Sequence, residues 1–346
     1  MIVERVALAR REKAASTAEH HFIRAILILL VIVGVCTFVG LWTGYEKIDL
    51  FTLGHDEIAR SVFFRLRLPR VVLAGIIGAT LAAVGAALQA IFRNPLADPL
   101  TLGVSGGGAL GASIVIALGW GIRIVGVPVV FLAAFLGAAV SMAIVYRLAH
   151  SGILTAPGSL LLAGIVVNLI ANAAVLTIQY TIDESRSLQI LRWLIGTLDV
   201  VGFSIIWQML LLLAPGWIAL LLLARDLQLL AVDEESAASL GVNVRRCERA
   251  TYLVSSLLVG VTVSVGGSIG FVGLIVPHIA RLLFGQDVRL ALPCSLFLGA
   301  GFLMLADAAA RSALGQAELP VGAVTAILGG PFFLWLMRRE QRYAAL

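Results

Sequence analysis

The sequence predicts an all-α, polytopic membrane protein of about ten transmembrane helices. Mean hydropathy is +1.02 and 60% of the 346 residues are hydrophobic, well above the roughly 45–50% apolar content of soluble domains. The apolar residues fall in runs about as long as a bilayer is thick, separated by short charged islands. These runs are far longer than barrel strands, and backbone polar groups in hydrocarbon must pair within their own segment, so the spans are helices.

Residues 1–24 form a cationic head carrying Arg5, Arg10, Arg11 and Lys13. No small-residue cleavage site follows the first apolar run, so that run reads as a retained anchor rather than a removed signal peptide. One transmembrane domain, 25–338, then holds spans at 25–43, 68–92, 100–118, 125–147, 159–180, 203–223, 248–267, 269–284, 290–310 and 321–337, before a tail at 339–346. The eighth span is short. With the amino terminus cytoplasmic, an even number of spans returns the carboxyl terminus to the same side. Sixteen of the 25 Lys and Arg residues then lie inside and nine outside, as the positive-inside rule requires. The net charge of +5 therefore needs no nucleic-acid partner.

The second span repeats small residues at every fourth position (Ala74, Gly78, Ala82, Ala86, Ala90), and the third does so at Gly103, Gly107 and Gly111. Such stripes let a neighbouring helix approach closely. The run GGGALG, Gly106 to Gly111, satisfies GxGxxG, but no strand or βαβ unit surrounds it, so helix packing is the better reading than dinucleotide binding. Asn168 and Asn172 share one face of the otherwise apolar fifth span. Interhelical hydrogen bonding and the lining of a polar path are the two readings. Asp307, near the outer end of the ninth span, is expected to pair with Arg311 one turn away.

The island between the sixth and seventh spans, Arg225 to Glu248, reads as a helix-turn-helix wedge at about 228–245. Asp233 can cap its first helix, Gly241 can end that helix in a left-handed turn, and Asn243 can cap the next. Cys36, Cys247 and Cys294 are too scattered for a disulfide framework or a CxxC metal site, and the five histidines form no HExxH pattern. Neither Lys13 nor Lys47 sits in GxxxxGK[ST], so no P-loop is present. No metal or cofactor site is expected on this chain.

The islands carry a resemblance. RLPR at 67–70, NPLADP at 94–99, LGVSGGGALGA at 102–112, LLAVDEESAASLGVNVRR at 229–246, GFVGLIVPHIARLLFG at 270–285 and ELPVGAVTAILGGPFFLWLM at 318–337 together resemble the permease subunits of bacterial importers for iron–siderophore, haem and cobalamin, the type II ABC importers. The resemblance implies a type II permease fold in the inner membrane and a homodimer. It also implies a periplasmic binding protein that delivers cargo, and two cytoplasmic ATPase subunits that carry ATP and Mg.

Several residue roles follow from it. Ala237, Leu240, Gly241 and Val242 would couple the wedge to the ATPase, against the plainer reading of a connecting loop. Arg67, Arg70 and Arg311, outside against the charge trend, would dock the binding protein's acidic residues, against the alternative of anchoring to lipid phosphate. Asn94 and Leu96, with Thr155 and Ser159, would form the inner gate, and Asn168 and Asn172 would border the path. Two other classes find less support. An ion-coupled secondary transporter needs a titratable group at mid-membrane. An intramembrane enzyme needs a nucleophile with a base or a set of metal ligands, and His278 has no such partner at helical spacing.

Overall fold

The computed structural model describes residues 25–44, 56–124, 126–150, 159–313 and 318–344. Each expected span meets a helix. Those long and apolar enough to cross a membrane are α1 (Ala25–Trp42), the continuous run Glu57–Ile91, α5 (Val129–His150), α6 (Ser159–Thr181), α8 (Ser204–Val232), α10 (Val244–Gly266) and α12 (Val288–Ser312). Among the described residues there are also three shorter apolar helices: α4 (Val104–Leu118), α11 (Val272–Phe284) and α13, which is apolar over Val321–Leu336 and continues to Ala344.

The run Glu57–Ile91 has three parts. Asp56 caps α2 (Glu57–Val62) by accepting the Ile58 and Ala59 N–H groups, a π-helical stretch covers Phe63–Arg67, and α3 (Leu68–Ile91) follows with Pro69 in its first turn. Nearly all of α3 is buried, which makes it the axis of the fold. Its small-residue stripe meets α12. A Cβ at Gly78 would overlap the Gly299 carbonyl, and one at Gly299 the Gly78 carbonyl. The glycines of α4 do the same with α5, through Gly107 against Gly137 and Gly111 against the Ala133 carbonyl. Without a hydrophobic drive between helices in lipid, such close backbone contact supplies the dispersion energy of association. Leu73, Ile77, Leu88, Leu213, Leu220 and Leu258 fill the space between α3, α8 and α10 and are fully buried. The indole N–H of Trp217 donates to the Thr80 hydroxyl at 3.1 Å, which adds a polar tie between α8 and α3.

The structure corrects several expected boundaries. The outer connection after α6 contains α7 (Glu184–Ile195), capped by Asp183, which accepts the Arg186 N–H. Its alternating apolar and charged residues form no long apolar run. The fourth span starts late, because Arg123–Ile124 and Val127–Pro128 pair as a two-stranded hairpin, β1 and β2. The eighth starts at Val272, not 269, because Gly267–Phe271 is irregular and Phe271 is left-handed at φ 68°. That stretch is shielded by protein: Gly196 and Gly322 pack on Ser268, and the Ser105 hydroxyl donates to Ser268 Oγ at 2.9 Å. Irregular backbone survives at membrane depth only under such cover.

Candidate functional site

Two clusters stand out, one at each end of the bundle: the end expected to face outward and the end expected to face inward. The outer cluster centres on Asp307 of α12, which is fully buried. Arg311 Nε donates to its Oδ2 at 2.9 Å and Arg70 Nε to its Oδ1 at 2.9 Å. Arg311 also donates to the Thr43 and Gly40 carbonyls at 2.6 and 2.7 Å, locking the end of α1 to α12. Arg70 Nη1 reaches Glu318 Oε2 at 2.6 Å, and Arg67 Nη1 donates to the Leu41 carbonyl at 3.2 Å. A carboxylate with two forks is the pairing that makes a buried aspartate tolerable. Arg67, Arg70, Arg311, Asp199 and Glu318 line a cleft of about 470 Å³ together with Leu66, Val200 and other apolar residues.

The three outer arginines expected to act alike therefore differ. Arg311 is only 5% exposed and turns inward, so in this state it has little surface to offer a partner. Arg70 divides its fork between buried Asp307 and exposed Glu318. Arg67 sits at the cleft wall, so close to Gly44 that a side chain there would meet the guanidinium.

Within α6, the two asparagines also separate. Asn168 Oδ1 accepts the Gly106 N–H at 2.8 Å and its Nδ2 donates to the Leu100 carbonyl at 2.9 Å. This is an interhelical tie to the start of α4. Asn172 is exposed on a face of α6 that also presents Leu169, Leu176 and Tyr180.

At the inner ends, α9 (Glu234–Ser239) forms the wedge. Asp233 accepts the Ser236 N–H at 2.8 Å and Asn243 accepts the Arg246 N–H at 3.1 Å, capping α9 and α10. Gly241, at φ 88°, closes α9: its N–H donates to the Ala238 carbonyl and the Val242 N–H to the Ala237 carbonyl. Ala237 is fully buried against the bundle, whereas Leu240 is 66% exposed at the tip. Ala237, Gly241 and Val242 thus build the turn that presents Leu240.

Beside the wedge lies the α3–α4 connection. Asn94 Oδ1 accepts the Leu96 N–H at 2.9 Å, and Asp98 Oδ1 accepts the Leu100 N–H at 2.8 Å, opening a 3₁₀ turn at Pro99–Leu102. Thr155 lies outside the described residues, and Ser159 is the first residue of α6.

The sequence gives no sign of the roles of Glu318, the Arg93–Glu234 ion pair at 3.4 Å, or Gln89, whose amide Nε2 donates to the Gly273 carbonyl at 3.1 Å while its Oε1 accepts from Arg281. Each joins residues more than 140 positions apart, and no local pattern signals such pairs.

Apolar helices of this length, packed closely through small residues, define a membrane-embedded all-helical protein. The chain belongs to the FecCD transport family, whose pattern matches residues 26–339. It is 39% identical over 299 residues to the hemin transport system permease protein HmuU of Yersinia pestis, covering 85% of this chain and 88% of that one. It is 41% identical over 291 residues to the cobalamin import system permease protein BtuC of Halobacterium salinarum, covering 84% and 77%. A solved structure reported as an inward-facing conformation of a metal-chelate type ABC transporter superposes with a TM-score of 0.80 at 31% identity, covering 92% of this chain and 99% of that one.

Proposed function

We propose that this chain is the channel-forming permease of an ATP-driven importer that carries a metal chelate, ferric siderophore or haem, from a periplasmic binding protein to the cytoplasm. Cobalamin is the alternative cargo, favoured by the cobalamin importers among the relatives. The permease works as a homodimer in the bacterial inner membrane, with both termini cytoplasmic and residues 25–338 as one transmembrane domain. Two ATP-binding cassette subunits bind ATP and Mg on the cytoplasmic face, and the permease itself holds no cofactor and catalyses no reaction.

The observation that carries this reading is the wedge: a capped one-turn helix that puts Leu240 at 66% exposure beside the inner connection of the most buried helix. Apolar surface held out on a stiff turn is suited to a groove in another protein. The apolar face of α6, with Asn172 on it, is the surface for the second copy and the path between the copies. Arg67 and Arg70 are the docking arginines, buttressed by Arg311 through Asp307.

Affinity purification of the permease with its ATPase and binding protein, followed by binding of haem, a ferric hydroxamate and cobalamin to that soluble partner, tests the cargo. Binding of none of the three sinks the chelate-importer reading. Arg67→Glu tests docking with less damage than a change at Arg70, because Arg67 does not hold Asp307. It should weaken binding-protein association in a salt-sensitive way. Unchanged affinity favours the phosphate anchor instead.

A further inference from the structure

Among the described residues, three helices end in the same double-bonded cap, with one residue turned left-handed. In α4 that residue is Gly119, whose N–H donates to the Ile116 carbonyl while the Trp120 N–H donates to Val115. In α9 it is Gly241. In α3 it is Arg93, whose N–H donates to the Ala90 carbonyl while the Asn94 N–H donates to Gln89. The φ angles are 71°, 88° and 48°. Glycine takes this conformation freely, whereas a Cβ makes it unfavourable. An arginine in that position needs a reason that lies in its side chain.

The side chain reaches across to the wedge. Arg93 Nη2 lies 3.4 Å from Glu234 Oε2, and its charge is the smallest of the influences that hold the Asp233 carboxyl below the ordinary range, after the Ser236 N–H and hydroxyl and the Glu234 N–H. Both partners of the ion pair are more than a third exposed, so the pair adds little stability and does not offset the backbone strain. Its effect is mechanical. It links α9 to the Arg93–Asp98 connection, which the Asn94 and Asp98 side-chain bonds hold as a unit, and which leads to Leu100, whose carbonyl is held by Asn168 of α6.

We infer that Arg93 is a positioning residue for energy coupling: through Glu234 it passes displacement of the wedge to the inner connection and so to α6. The inference rests on the reading of α9 as the element that the ATPase grips. A chain of contacts is not itself coupling, so the test must read coupling directly.

The test uses the complete transporter in liposomes, reading stimulation of ATP hydrolysis by the binding protein. Arg93→Gly removes the side chain while supplying the residue the cap prefers, so its thermal midpoint should match or exceed that of the parent. Stimulation should nevertheless fall about threefold or more, as should that of Glu234→Gln, and the exchange Arg93→Glu with Glu234→Arg should restore most of it. Full stimulation in Arg93→Gly overturns the inference, and so does an exchange no better than either single change. Leu240→Asp separates the underlying reading. If it abolishes ATPase binding while Arg93→Gly is silent, only the inference fails; if it leaves ATPase binding intact, the wedge reading fails and the inference with it.

Discussion

Asp307 and Arg311, one helical turn apart, are a pair that the sequence shows by spacing alone. Arg70, 237 positions away, could not be assigned to the same carboxylate from sequence, because its helix position predicts only that it lies at the outer end. The consequence is a reassignment of work: an arginine that looks outward in a topology diagram is turned inward by a buried charge. Asp307→Ala leaves two guanidinium groups without their shared carboxylate, and thermal melts of the detergent-solubilised protein should show a loss of about 3–5 kcal/mol. Arg67→Ala, which removes the bond to the Leu41 carbonyl but leaves Asp307 paired, should cost less in the same melts than Asp307→Ala. At Gly241 no atom lies within 4 Å of a would-be Cβ, so a substitution there is opposed by backbone conformation alone. Gly241→Val should therefore disrupt the turn and ATPase co-purification, whereas Gly241→Asn, tolerant of the left-handed region, should retain much of both.

Elements were legible where their signals were local. The caps of the wedge could be read because Asp233, Gly241 and Asn243 act on amides within five positions of themselves. The helices α2 and α7 escaped notice because a short amphipathic helix shows neither a long apolar run nor a fixed distance to its neighbours. The deep irregular stretch Gly267–Phe271 escaped because only tertiary cover makes it tolerable in hydrocarbon. The wedge also carries a pH expectation. The Ser236 N–H, then its hydroxyl, hold the Asp233 carboxyl below the ordinary aspartate range. A folded value below the unfolded one gives stabilisation that is present above the ordinary range and lost as pH falls through the depressed value. Amide exchange of residues 237–240 should thus stay protected between neutral and mildly acidic pH, with the protection lost in Asp233→Ala at every pH.

For the whole molecule, the glycine contacts of α3 with α12 and of α4 with α5 set how tightly the bundle closes. The stripes themselves were visible in the sequence, but which helices they meet was not, since an every-fourth spacing names a face and not its neighbour. Gly107→Leu should force α4 from Gly137 and Ser141, costing about 1–3 kcal/mol or more and lowering the yield of folded protein, while membrane insertion persists. On the proposed function the permease is a conduit that does no work unaided and is moved through α9. The most direct measurement compares uptake against a concentration gradient by proteoliposomes holding this chain alone with uptake by those that also hold the ATPase and binding protein. The complete assembly should accumulate cargo only with ATP, and should continue to do so after the proton gradient is dissipated; uphill accumulation by the lone chain would contradict the account.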